Sequence, residues 1–219
     1  MRFIQHLLAV ASLSLFAATA GASPTAPVNG TDYRTLEKAQ QVDSGKKVEV
    51  TEFFWYSCPH CSALEPALEA WVKKQGDKIN FKRVPVAFRD SFIPQQKLYY
   101  SLEALGLVNS LHGKVFRAIH VERQPLDTDK QIADFIAKQG VDAKKFAEVY
   151  NSFGIQSKVQ RATQLQAAYK VDGVPMIAID GRYITSPSIV GASLGNRPEA
   201  ILHDATLQVM DWLVTKSAK

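Results

Sequence analysis

The only two cysteines of this 219-residue chain stand three apart in Cys58-Pro59-His60-Cys61, directly after the apolar run from Val48 to Trp55. No other feature constrains the fold as much, because a strand has to end and a helix has to begin at a pair of sulfurs. Val48 to Trp55 is dense in β-branched and aromatic residues and reads as a strand. Alternation puts Val48, Val50, Glu52 and Phe54 on one of its faces, so Glu52 keeps apolar company. From Pro59 the period changes, with Leu64, Leu68, Trp71 and Val72 recurring at three- and four-residue steps until Gly76 closes a helix. Pro66 lies inside that helix, where it removes one backbone hydrogen bond and is expected to kink the axis near Ser62. A second strand is expected at Ile79 to Val86, and strand, helix, strand in that order is a βαβ unit with parallel strands.

The stretch from Phe88 to Ala162 holds no good strand. It breaks into helical pieces at Gln95 to Leu105, Ser110 to Val121, Asp129 to Gln139 after a Thr128 cap, and Ala143 to Asn151. Ile132, Phe135 and Ile136 form one apolar stripe and Phe146, Val149 and Tyr150 another; both read as core. A longer helix from Ile155 to Tyr169 leads to a strand at Val174 to Ile179, a turn at Asp180-Gly181, a strand at Arg182 to Thr185 and a last helix from Pro198 to Val214. The expected fold class is therefore α/β, a mixed sheet flanked by helices with an all-helical insertion.

A disulfide between Cys58 and Cys61 closes a ring too small to restrict the unfolded chain much, so its value lies in chemistry. With Pro59 in the first helical turn, Cys58 sits at the helix entrance, where unpaired backbone N–H groups and the positive end of the helix dipole favour a thiolate. His60 adds a donor or a positive charge beside the sulfur. Cys61, one turn on, is expected to be the more buried thiol. A Cys58 pKa of about 4 instead of about 8.5 would stabilise the reduced form at pH 7 by roughly 4 kcal/mol, or roughly 90 mV toward oxidising behaviour. A zinc reading fails for want of ligands, since the sequence has no second Cys pair or Cys/His cluster.

Arg2, the apolar run Leu7 to Phe16 and the small residues around Ala18 to Ala22 read as a cleavable signal peptide over 1–22, too short to span a bilayer. Ser23 to Asn29, with two prolines, reads as a flexible mature terminus. Export would place the cysteines where disulfides persist. The formal charge of +5 is not gathered into a Lys/Arg block and gives no ground for a nucleic-acid role.

Thr35-Leu36-Glu37-Lys38, Glu52-Phe53-Phe54 before Cys58-Pro59-His60-Cys61, the helical insertion and Gly173-Val174-Pro175 together resemble the DsbA-type thiol:disulfide oxidoreductases of the thioredoxin superfamily. The resemblance implies a thioredoxin-like domain over 23–87 and 163–219, with the helical insertion at 88–162. It implies that Cys58 and Cys61 form the redox disulfide, given by exchange to newly exported reduced proteins, and strong oxidant character is what is known of that family. It further implies that Val174-Pro175 is a cis-proline loop facing the dithiol and binding extended peptide, with Met176 and phenylalanines contributing to an apolar groove. Glu52 matches the family's buried acid, which passes a proton to or from Cys61. Arg83 stands where a Lys is expected, and its permanent charge would hold Glu52 ionised more firmly. No organic cofactor is implied. The implied partners are a DsbB-like, quinone-linked membrane oxidase and unfolded periplasmic clients, met by a monomer. The competing readings are a disulfide isomerase or reductase, which would hold its dithiol reduced, and a peptide-binding holdase, whose binding would survive loss of both thiols.

Overall fold

The structure, a computed structural model, describes residues 26–218, so the expected signal peptide over 1–22 lies outside the described residues. Five strands form one mixed sheet in the order β1-β5-β4-β2-β3: β1 is Arg34–Thr35, β2 Val48–Phe54, β3 Ile79–Pro85, β4 Met176–Ile179 and β5 Tyr183–Thr185. β2 and β3 run parallel with Glu52 opposite Arg83, and β4 lies antiparallel on the other side of β2 with Ile177 opposite Glu52. Flanked on both edges and covered on both faces, β2 is buried at all seven positions. That is why it reads as a nearly continuous apolar run, and why its one central carboxylate carries information.

The crossover between β2 and β3 is α1, Pro59–Gln75, which buries Cys61, Leu64, Glu65, Leu68 and Trp71 along one stripe. The helix continues through Pro66, which lies on its exposed side. Four helices follow: α2 is Ile93–Ala104, α3 Val108–His120, α4 Asp129–Lys138 and α5 Ala143–Tyr150. The Thr128 cap expected from the sequence is a full capping box, with Gln131 returning the hydrogen bond. Next, α6 (Phe153–Ala168) runs across the expected boundary between 162 and 163, burying Ile155 and Ala162 in the same core as α2. After β5 come α7, Pro187–Leu194, and α8, Glu199–Ser217.

Several boundaries differ from expectation for local reasons. β4 starts only at Met176, because the residues before it turn through a cis peptide bond at Val174–Pro175. The turn after β4 takes Asp180 and Gly181 at φ 52° and 64°, the paired left-handed geometry of a tight hairpin. The sequence reading contained neither β1, which is two residues long, nor α7, whose eight residues carry no usable period. Nor does the segment 26–35 match a flexible terminus: Val28 N–H donates to Asp32, and Thr35 N–H donates to Asn29, which docks β1 against β5.

Buried apolar residues form two clusters. One, between the sheet and α1 and α8, holds Val48, Val50, Leu64, Leu68, Ile177, Val209 and Leu213. The other joins the sheet to the helical insertion and holds Phe53, Phe54, Leu98, Ile132 and Ile136 together with both cysteines. Phe54 thus leaves the face of Val48 and Val50 to pack edge-on against Tyr56 and Tyr99, with ring centroids 5.1 and 5.3 Å apart. Each such ring or aliphatic side chain, when fully buried, contributes about 1.5–3 kcal/mol. The dithiol therefore sits on the seam between sheet and insertion, anchored from both sides.

Candidate active site

Cys58 is the N-cap of α1, in extended geometry with Pro59 behind it, and its Sγ accepts the Cys61 N–H at 3.4 Å. A cap is normally a Ser, Thr, Asp or Asn oxygen; here a sulfur takes that position and gains the same unpaired donors. The Cys58 thiol also lies 3.4 Å from the Val174 carbonyl, so the cis-proline loop faces it directly. Cys58 keeps 6% of its surface exposed and Cys61 none, and both are free thiols.

The two sulfurs differ in acidity for visible reasons. The hydrogen bond from the Cys61 side chain, then the backbone N–H groups of Cys61 and His60 and the His60 charge, lower the Cys58 pKa to about 6 against the opposing cost of burial. Burial, then the neighbouring Cys58 and Glu52, push Cys61 well above the ordinary thiol range. His60 Nδ1 lies 2.8 Å from Glu199 Oε1 at the start of α8, and that hydrogen bond raises the imidazole pKa. His60 is thus held as a cation by a residue distant in sequence.

Beneath Cys61 lies a buried charge group. Glu52 is fully buried, and its Oε2 accepts Arg83 Nε at 2.9 Å. The same guanidinium donates through Nη2 to Glu65, so one cation serves two carboxylates. Arg83 does not hold Glu52 ionised as firmly as its permanent charge suggested. Burial and the charge of Glu65 outweigh it and raise Glu52 to about 7, and Glu65 is likewise raised to about 7, chiefly by burial. The helical period already carried a signal for Glu65: it is four residues after Cys61 and so falls on the same face, one turn below it. No comparable signal marks Glu199, which reaches His60 only because α8 packs beside α1.

A groove of about 310 Å³ opens beside the dithiol, walled by Val174, Pro175, Pro187 and Leu202 with His60 and Glu199 at its rim. Met176 is not part of it; the strand turns that side chain into the core, where 4% of it is exposed.

A thioredoxin-like sheet that delivers an acidic N-cap thiol and a buried partner thiol to one helix turn defines a thiol:disulfide oxidoreductase. The family described as DSBA-like thioredoxin domain matches residues 83–205. The thiol:disulfide interchange protein DsbA of Burkholderia cepacia is 47% identical over 204 residues, covering 93% of this chain and 92% of that protein. Its namesake in Pseudomonas aeruginosa is 38% identical over 210 residues, covering 96% and 93%. The crystal structure of P. aeruginosa DsbA superposes with a TM-score of 0.76 at 36% identity, over 85% of this chain and 92% of that one. The chain belongs to the DsbA family and is a disulfide oxidoreductase of oxidative protein folding.

Proposed function

We propose that this protein is a donor of disulfides: its oxidised form gives the Cys58–Cys61 bond to reduced proteins exported to the periplasm. The observation that carries this reading is the opposed acidity of the two sulfurs, Cys58 lowered to about 6 and Cys61 raised. A client thiolate attacks Cys58 Sγ, the Cys58–Cys61 bond breaks, and Cys61 leaves with the electron pair as a thiolate. Burial makes that anion costly, and the carboxyl of Glu52 supplies its proton. A second client thiolate then attacks the client sulfur of the mixed disulfide. Cys58 leaves readily because its anion is stabilised, and the client departs oxidised.

In this reading Val174 and Pro175 line the groove for an extended client segment, the Val174 carbonyl standing next to Cys58 as a backbone acceptor. His60 keeps a positive charge near the sulfur, and Pro59 fixes the first turn. The apolar leader over 1–22 supports export and cleavage, and the mature protein works as a monomer. A DsbB-like, quinone-linked membrane oxidase returns the dithiol to the disulfide, since the protein itself supplies no electron acceptor for a second turnover. The test is Cys61→Ser: mixed disulfides between Cys58 and clients should accumulate in the envelope and dissolve on reduction. Cys58→Ser should form none and lose transfer. Full transfer by Cys58→Ser would eliminate the scheme.

A further inference from the structure

His112 is a buried imidazole that the exchange scheme does not use. It lies on α3 with 1% of its surface exposed, boxed by the rings of Phe54, Tyr56, Tyr99 and Phe116 at centroid distances of 5.1 to 5.9 Å. Its Nδ1 is 2.8 Å from the Tyr56 hydroxyl. Its Nε2 faces Glu65 Oε1 at 3.3 Å and makes no other hydrogen bond. The charged and titratable groups around it are Tyr56 from the loop before α1, Glu65 and Glu69 from α1, Glu52 from β2, Arg83 from β3 and Tyr99 from α2. Burial, reinforced by Arg83, lowers the His112 pKa to about 3, so the ring is neutral and carries one proton.

Where that proton sits follows from its neighbours. Burial keeps the Tyr56 hydroxyl protonated, and Nδ1 is the acceptor within reach. Donation from Tyr56 into Nδ1 leaves Nε2 bearing the hydrogen, aimed at Glu65. The opposite tautomer would turn a lone pair toward Glu65 Oε1, the oxygen that already accepts from Arg83 and so does not carry a proton of its own.

The two buried carboxylates are thus unequally served. Glu52 accepts from Arg83 alone and its Oε1 has no partner, whereas Glu65 Oε1 receives Arg83 and faces His112. We propose that His112 is a positioning residue that stabilises the anion of Glu65 through Nε2–H, and thereby leaves the proton shared by this carboxylate pair on Glu52, beside Cys61. Glu69, an exposed carboxylate one turn below Glu65, pulls the other way by favouring a protonated Glu65, and His112 offsets it. The inference rests on the proton-donor role proposed above for Glu52, but the assignment of the proton is read independently of it.

The experiment is a ¹³C-carboxyl NMR titration of the glutamates in the oxidised mature protein, wild type against His112→Leu, His112→Gln and Tyr56→Phe. In the wild type Glu65 should ionise at lower pH than Glu52. Loss of the donor in His112→Leu should shift the Glu52-to-Glu65 proton ratio toward Glu65 by about tenfold, the effect of one hydrogen bond to a charged group. Tyr56→Phe, which keeps the ring packing, should shift it the same way, and His112→Gln, whose amide nitrogen replaces Nε2, should restore the wild-type order. Single-turnover disulfide transfer at pH 7 should fall in His112→Leu and recover in His112→Gln. Unmoved midpoints in His112→Leu and Tyr56→Phe, or a Gln variant indistinguishable from Leu, would overturn the assignment. Shifted midpoints with unchanged transfer would uphold it and remove Glu52 from the exchange step instead.

Discussion

The acidity of Cys58 predicts a measurable pH dependence in the redox equilibrium with glutathione. Only the reduced protein has a Cys58 thiol to ionise, and its folded-state pKa of about 6 lies below that of an ordinary thiol. The stabilisation this gives the reduced form is complete at alkaline pH and is lost as pH falls through 6. Relative to the disulfide, the reduced form gains a factor of about 1.1 at pH 5 and about 11 at pH 7. The equilibrium constant for reduction by glutathione, whose own thiol stays protonated over this range, should therefore rise about tenfold from pH 5 to pH 7. That change equals about 1.4 kcal/mol, or about 30 mV for a two-electron couple. A pKa near 4, the value entertained from the sequence, would give about 90-fold over the same interval, and an unperturbed thiol almost none. The assay equilibrates the mature protein with fixed glutathione ratios at both pH values, quenches in acid and separates the alkylated forms. Repeating it in Glu52→Gln removes the other group near the dithiol that ionises in this range. Equal constants at pH 5 and pH 7 would refute the argument that the helix entrance holds Cys58 as an anion.

Two further outcomes follow from the geometry. Glu52→Gln should slow single-turnover transfer at pH 6 by roughly tenfold or more while leaving the Cys58 thiolate absorbance titration in place. Because a carboxyl raised to about 7 donates only below that pH, wild-type transfer at constant client thiolate should fall as pH rises above 7, and the Gln variant should lose that step. Gly181→Ala should destabilise the fold by about 2 to 4 kcal/mol in chemical denaturation, from the left-handed backbone and the crowding together. A Cβ there would stand 2.2 Å from the Gln40 carbonyl oxygen, at φ 64°. Unchanged stability would mean that the β4–β5 turn and residue 40 move apart freely.

The strand–dithiol–helix junction was legible because each of its parts is local. Val48–Phe54 announced itself by residue type, α1 by its period, and the acidity of Cys58 by its place next to Pro59 at a helix start. The helices of the insertion were legible for the same reason, down to the Thr128 cap. The cis-proline loop and Glu52 came through family resemblance, since nothing in the spacing of Val174-Pro175 says which residue it will face.

What only the tertiary structure decided is everything that depends on residues far apart in the chain meeting in a dry interior. Glu52 and Arg83 face each other through the parallel register of β2 and β3, yet their energetics turn on Glu65, which shares the cation, and on burial, which outweighs it. Glu199 reaches His60 across 139 residues, and His112 reaches Tyr56 across 56. A sequence fixes helix and strand periods because these arise from neighbouring residues on the backbone. It does not display which charges will share a site without water, and that exclusion of water sets the protonation of every group beneath Cys61.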